Sequence, residues 1–454
     1  MRQALRGDGV SPTHGAIVAA IITLAVPMVL EMVMESLFAI VNIFWVAHLG
    51  AAATAAIGLT ESLLAVVYTV AAGISIGVMA VVARRMGAGD QEGAAEAAFQ
   101  TIVLGVIIAL ILGVLGGMNA RGLLRLMGAD AEVLRTGGTF ATIMLAGNGA
   151  IILLFLLNAA FRGAADATVA MRVLWLANGI NLILDPCLIF GLGPFPRMGV
   201  TGTAVATTVG RSVAVLVQLL VLFGGRAHLS LAARHVRVQV AVMMNVLRLS
   251  ATGTLQVFIS TASWIGLVRV LSTFGSSALA GYTIGIRVVI FALLPAWGLA
   301  NAAATMVGQN LGAKQPERAE QAVWIAGFMN MVFLGSMGLL FILAAPLITR
   351  AFGGDAVTTS YAVRCLRIVS AGFFFYGYGM VLSNSFNGAG DTRTPTLLNL
   401  CCFWLWEIPI AWLLSRQLEL GPTGVFAAIT VAFSTFAVAA AVLWRRGAWK
   451  TVNV

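Results

Sequence analysis

Apolar residues run along this chain in long blocks, separated by short stretches rich in glycine, arginine and aspartate. A helix needs about 20 apolar residues to cross a bilayer, and twelve blocks reach that length. They fall roughly at 16–46, 55–82, 98–118, 137–160, 169–191, 201–223, 245–273, 279–307, 322–345, 361–386, 396–415 and 424–444. The first, seventh and eighth are long, which predicts tilt or a bend. The pattern as a whole predicts an all-α polytopic membrane protein with twelve transmembrane helices, and no soluble domain fits between the blocks. The first block is too long for the apolar core of a signal peptide, and its start lacks a small-residue cleavage site.

The polar stretches repeat. Leu49-Gly50 returns as Phe274-Gly275, 225 residues on. At the same offset Met86-Gly87-Ala88 matches Leu311-Gly312-Ala313, and Gly128-Ala129-Asp130 matches Gly353-Gly354-Asp355. Phe161-Arg162-Gly163-Ala164-Ala165-Asp166 matches Phe386-Asn387-Gly388-Ala389-Gly390-Asp391. Later the offset becomes 222, where Gly199-Val200-Thr201-Gly202 matches Gly421-Pro422-Thr423-Gly424. Shared loop chemistry without duplication would not keep this spacing. Each repeat holds six spans, an even number, so the halves share one membrane orientation. That predicts two pseudo-symmetric six-helix lobes about an axis along the membrane normal, with substrate bound near mid-depth. The expected division is an N lobe over 1–223, a cytoplasmic linker over 224–248 running into the seventh span, and a C lobe over 249–454.

Composition agrees: the 454 residues are 60% hydrophobic and only 10% charged, against about 25% charged in a soluble domain. The net charge of +10 needs no nucleic acid, because Lys and Arg collect in alternate loops. With the N-terminus inside, the cytoplasmic ends and loops hold about 16 of them and the opposite loops about eight. Both termini are therefore expected in the cytoplasm of a bacterial or archaeal cell. Cys187, Cys365, Cys401 and Cys402 have no disulfide-framework spacing, and His14, His48, His228 and His235 are scattered. Neither a structural disulfide nor a Cys- or His-based metal site is expected.

Asp185 is the residue most suggestive of function. It lies inside the fifth span, in Asn178-Gly179-Ile180-Asn181-Leu182-Ile183-Leu184-Asp185-Pro186. An ionisable group at that depth is costly and usually faces a bundle interior on an ion or substrate path. Asn178, Asn181 and Asp185 stand at i, i+3 and i+7, on one helix face. Pro186 removes a backbone donor beside the carboxylate. In the first span Glu31, Glu35 and Asn42 form a second polar stripe. Each glutamate either bonds within the bundle or carries mobile charge. Glu61 stands in a third stripe with Thr54 and Tyr68, near enough to the outer interface to be solvated. Glu407, before Pro409, is a weaker acid of the same kind. Arg269 and Arg287 either act as counter-ions or snorkel to the interface. The tenth span, Phe373-Phe374-Phe375-Tyr376-Gly377-Tyr378-Gly379-Met380, suits flat lipophilic compounds or plain packing.

With twelve spans and a 6+6 repeat, the chain resembles the multidrug and toxic compound extrusion (MATE) family. The matching segments are Val41-Asn42-Ile43-Phe44-Trp45, Arg162-Gly163-Ala164-Ala165-Asp166-Ala167-Thr168, Asn181-Leu182-Ile183-Leu184-Asp185-Pro186 and Gly388-Ala389-Gly390-Asp391-Thr392-Arg393-Thr394-Pro395. The resemblance implies an antiporter, not an enzyme, that expels organic, often cationic or lipophilic, compounds against H+ or Na+. It implies alternation between outward-open and inward-open V-shaped states, no cofactor, small organic substrates and membrane lipids as partners, and a monomer. By motif match, Asp185 and Asn181 occupy the N-lobe cation site with Thr203 of the sixth span. A possible Na+ ligand set is Asp185, Asn181, Asn42 and Thr203, with Asn178 nearby. Asn42 stands where relatives often carry Asp, and Glu31 or Glu35 could replace that charge. Tyr376, Tyr68, Met34 and Gln256 are expected on the substrate cavity. Relatives often carry an acid near Tyr376, so the resemblance implies no C-lobe ion site here.

Two other readings remain. A lipid or lipid-linked oligosaccharide flippase of the same superfamily would need a large cationic cavity, whereas the interior candidates are mainly acidic, with Arg211, Arg269 and Arg287 as exceptions. An intramembrane enzyme should carry a nucleophile–base or metal constellation, and a receptor does not need a duplicated twelve-span body.

Overall fold

The computed structural model describes residues 11–452 apart from His48 and Arg226. Arg2, Arg6 and Arg226, which enter the loop-charge count, thus lie outside the described residues. Ten helices are long and apolar enough to cross a membrane, and two bent pairs bring the number to twelve. The first half holds α1 (Ile17–Ala47), α2 (Ala51–Gly87), α3 (Gln91–Leu126), α4 (Ala131–Ala146), α5 (Asn148–Gly163), α6 (Ala167–Phe190) and α7 (Val200–Phe223). The second holds α8 (Val240–Ser272), α9 (Ser276–Gly312), α10 (Pro316–Arg350), α11 (Ala356–Ala371), α12 (Phe373–Gly388), α13 (Arg393–Gln417) and α14 (Pro422–Arg445). No β-strand occurs among the described residues.

The pairs α4–α5 and α11–α12 are the fourth and tenth spans, bent by 41° and 58°. Both break at a glycine, Gly147 and Gly372, that stands at the same place in the two repeats. Hydropathy does not see such a break, because the apolar run passes straight through it. The seventh span, α8, starts at Val240, inside the stretch read from sequence as a linker reaching 248. Pro27 and Pro186 are accommodated within continuous α1 and α6. In α13 the backbone is π-wound over Leu400–Glu407, immediately before Pro409, and again over Leu413–Gln417. A proline cannot donate the i→i−4 bond, and a wider turn upstream is one way to absorb the gap.

The backbone carries the duplication as plainly as the sequence does. Positive φ angles recur at Gly50 and Gly275, Gly89 and Lys314, Gly128 and Gly353, Ala165 and Gly390, Gly199 and Gly421. The caps recur too: the Asp130 side chain accepts from the Val133 amide, and the Asp355 side chain from the Thr358 amide. An aspartate at the N-cap satisfies one of the orphan amides of the first turn.

One apolar core fills the N half, drawn mainly from α2, α3, α5 and α7. Two further clusters fill the C half. The first helix of each half packs its beginning against the other half. Ala20, Ile21, Leu24, Ala25 and Met28 of α1 join the cluster built on α9, α10 and α12. Val246 of α8 joins the N-half core. Glycines make this approach possible. A Cβ at Gly298 would stand 2.7 Å from the Met28 carbonyl, and one at its repeat mate Gly73 would stand 2.3 Å from Thr254 Cα. Nearer the ends of α2 and α9, a Cβ at Gly87 would meet the Gln309 carbonyl at 1.9 Å, and one at Gly312 the Arg84 carbonyl at 2.1 Å. Thr305 Oγ1 and Gln309 Nε2 donate to the carbonyls of Arg162 and Gly163 across the same seam. These contacts all lie in the half of the membrane nearer the start of α1 and the end of α14. The lobes are sealed together on that face.

Candidate functional site

Three helices place oxygen and nitrogen atoms together inside the N lobe. Asp185 of α6 is 1% exposed. With its amide nitrogen turned toward the carboxylate, Asn181 donates to Asp185 Oδ2 at 2.7 Å and Oδ1 at 3.1 Å. Its oxygen then accepts from Thr207 Oγ1 of α7 at 2.9 Å. Thr203 sits one turn from Thr207 on the same face of α7. It falls between the Gly202–Leu188 approach and the Thr207–Asn181 bond, level with Asp185. Its Oγ1 is buried with no partner.

The register of α1 against α6 locates Asn42. Trp175 Nε1 donates to the Leu30 carbonyl at 3.2 Å, Asn178 Nδ2 to Glu35 at 3.2 Å, and Trp45 packs on Phe190. Following that line, Asn42 stands level with Asp185. Its Oδ1 is buried and unpartnered. One carboxylate, two amides and two hydroxyls thus stand at about one level of these helices, with Asp185, Asn181 and Thr207 joined in one hydrogen-bonded chain. Among the described residues no Lys, Arg or His pairs with Asp185.

The glutamates of α1 belong elsewhere. Glu31 is 1% exposed, and its Oε1 accepts from Arg162 Nη2 at 2.9 Å and Asn158 Nδ2 at 3.2 Å. Asn158 Oδ1 accepts in turn from Gln218 Nε2 at 2.6 Å. Glu35 accepts from Asn178. Arg211 of α7 donates to the Tyr68 hydroxyl at 2.9 Å, with its guanidinium 5.8 Å from that ring's centroid, and lies within electrostatic reach of Glu35. Two expectations change here. Asn178 shares a helix face with Asp185, yet it serves Glu35 because α1 passes closer at that level. Glu31 is no spare charge for the acid missing at Asn42, since Arg162 already neutralises it. Sequence reasoning placed Arg162 in a basic loop. It ends α5, and its long stem reaches back into the lobe.

Of the residues expected on a substrate cavity, Met34 and Tyr68 are half-buried. Gln256 is buried with an unpartnered Oε1. Tyr376 does not line an opening: it is 4% exposed and stands in the C-lobe core, its ring 4.8 Å from that of Phe433. The break at Gly372 turns this face of α12 inward and leaves Phe374 and Phe375 outside. Glu61 and Arg287 are exposed, as is Arg269, and none forms an ion pair among the described residues. No group of three or more metal-binding side chains occurs among the described residues. Thr207, Asn158 and Gln218 escaped sequence reasoning. Thr207 had a signal, standing four residues after Thr203.

A duplicated twelve-span body with a buried carboxylate that has no basic partner among the described residues defines a membrane transporter. The chain belongs to the MatE family, whose profile matches residues 27–187 and 252–413. It is 25% identical, over 89% of this chain and 87% of the relative, to the probable multidrug resistance protein NorM of Thermotoga maritima. It is 26% identical, over 82% and 83%, to the FAD transporter of Shewanella oneidensis. Among solved structures it is similar to the outward-facing conformation of a multidrug resistance MATE family transporter. There the TM-score is 0.91 and the identity 26%, covering 98% of this chain and 99% of that one. The chain is therefore an integral membrane protein of a multidrug efflux transporter family, and not an enzyme.

Proposed function

We propose that this protein is a secondary antiporter that exports organic, cationic or lipophilic compounds in exchange for H+ or Na+. Asp185 carries the reading. A carboxylate 1% exposed and without a basic partner cannot stay bare in a low-dielectric lobe. It takes a proton, a metal ion or a cationic substrate, and competition among these is exchange. The two orphaned oxygens at its level, Thr203 Oγ1 and Asn42 Oδ1, fit a hard cation that prefers oxygen ligands. Na+ would also draw on Asp185 and Asn181. For Asn181 that means turning the amide over, so that its oxygen faces the ion and its nitrogen faces Thr207. The Thr207 hydroxyl accepts as readily as it donates, so either orientation keeps a partner.

The termini belong in the cytoplasm by the Lys/Arg bias. The sealed face is then the cytoplasmic one, and the structure represents the outward-open limb of an alternating cycle. A monomer suffices, since one chain holds both lobes. A flippase would need free cationic groups for phosphates, but Arg162 and Arg211 are engaged inside the lobe. Dye efflux from proteoliposomes, driven separately by a pH gradient and a Na+ gradient, tests the proposal. Efflux under at least one gradient is expected, and none under either would sink it. Asn42→Asp adds a second carboxylate level with Asp185 and should move coupling toward H+. Identical profiles in the two proteins would remove Asn42 from the site.

A further inference from the structure

The C lobe contains an acid that the mechanism above leaves unused. Glu407 of α13 is 2% exposed, and its Oε1 is buried with no hydrogen-bond partner. It forms no ion pair among the described residues. Its place in the repeat is telling. The Met198 amide donates to the Leu188 carbonyl as the Leu420 amide does to that of Leu414, so α6 and α13 keep an offset of 226 up to their ends, and Glu407 takes the place of Asn181. It stands one turn from the place of Asp185 on the equivalent span, and each acid precedes a proline: Pro186 directly and Pro409 by two residues.

The surroundings suit a proton better than a metal ion. Two tyrosines lie within electrostatic reach: Tyr282 of α9 and Tyr376 of α12. Both hydroxyls are buried and unpartnered. Cys402, one turn back on α13, lies within reach as well. Cys365 of α11 shares the same apolar cluster. From α14, Thr430 spends its hydroxyl on the Ile368 carbonyl. The α8 face that meets Ile408 offers Gly266, and Asp185 has its counterpart at Ala411. The ionisable neighbours are thus phenols and thiols. The amide and threonine oxygens that surround Asp185 are missing. The π-wound turn over Leu400–Glu407 gives the side chain its own local geometry, and such turns concentrate at functional positions.

We propose that Glu407 is a second proton-carrying group, buried and unpaired in the C lobe as Asp185 is in the N lobe, which binds and releases a proton among the buried tyrosines Tyr282 and Tyr376. The sequence of the tenth span left this lobe without an acid. The eleventh supplies one, buried within the lobe. A part for Glu407 in the transport cycle rests on the antiport reading, whereas proton binding at Glu407 does not.

Infrared titration of the full-length protein in lipid, following the C=O stretch of protonated carboxyl groups against pH, tests this without transport. Wild type, Glu407→Gln and Asp185→Asn are compared, each with Na+ or choline as the only monovalent cation. Glu407→Gln should lose one titrating band that Asp185→Asn keeps, and should release one proton fewer per transporter on alkalinisation. Its midpoint should be the same in Na+ and choline. A spectrum of Glu407→Gln identical to wild type overturns the proposal. So does a Glu407 band that persists without titrating, or a midpoint set by Na+. If Glu407→Gln fails to fold, Glu407→Asp keeps a carboxyl and should keep the band at a displaced midpoint, and an undisplaced midpoint counts against the proposal.

Discussion

Arg162→Gln is the sharpest probe of the charge assignment in the N lobe. Arg162 is 15% exposed in its side chain and Glu31 1%, at 2.9 Å. Removing the guanidinium leaves a buried carboxylate with only the Asn158 amide at 3.2 Å. Breaking a buried pair by removing one partner costs about 3–5 kcal/mol. The lower end applies here, because Asn158 remains and Glu31 can take up a proton. Glu31→Gln leaves Arg162 near the membrane boundary, where it reaches water, so the loss should be smaller. The double variant has no uncompensated charge and should recover more than half of the Arg162→Gln loss. Unfolding of the purified protein in detergent, followed across all four proteins, gives the coupling. Gradient-driven efflux of Glu31→Gln, normalised to folded protein, should stay close to wild type. Additive losses would show that the pair does not interact. Abolished efflux in a stable Glu31→Gln would make Glu31 a coupling residue and refute its assignment as a neutralised structural acid.

Three other outcomes are expected. Asp185→Asn should abolish gradient-driven efflux while the protein inserts and folds, since an amide cannot exchange a proton or present full charge; transport at wild-type rate would make Asp185 structural. Gly87→Val should disfavour the sealed face, because its Cβ would stand 1.9 Å from the Gln309 carbonyl; a labelled cysteine on α9 beside this seam should react faster, and unchanged labelling would count against the seal. His228, in the loop before α8, is held above its ordinary titration range by its hydrogen bond to Asp166 and by that carboxylate's charge. The stability it contributes is therefore fully present below about pH 6.5 and is lost as pH rises through its raised value; His228→Gln should flatten this dependence in a thermal-melt series, and a profile like that of wild type would contradict it.

The repeat, the twelve spans and Asp185 were legible because each leaves a one-dimensional trace: a constant offset, an apolar run, an acid within it. Partner choice was not legible. Asn178 and Asn181 share a face with Asp185, but which amide serves which acid depends on where α1 crosses α6. Arg162 reads as loop charge because its Cα ends a helix, while its side chain travels a full turn inward. Tyr376 sits in a stripe that suits a cavity, and only the break at Gly372 decides that it faces the core. Glu407 was visible as an acid near a proline, but its burial without a partner was not.

Charge pairing inside the lobe bears on how many ions each cycle can move. The N-lobe interior holds three acids, Glu31, Glu35 and Asp185, and two arginines, Arg162 and Arg211. Glu31 is bound to one arginine, and Glu35 lies within reach of the other. Asp185 is left over. Where relatives often set a second acid beside it, this chain has Asn42, whose oxygen can bind an ion but cannot attract one by full charge. On the proposed antiport reading, the N lobe then exchanges one unit of positive charge, a proton or a single Na+. A cationic substrate displacing that ion from the same carboxylate leaves the lobe's net charge unchanged. Any further proton must be held elsewhere, and the C lobe offers one buried, unpaired carboxyl for it, Glu407, one turn from the position that duplication assigns to Asp185.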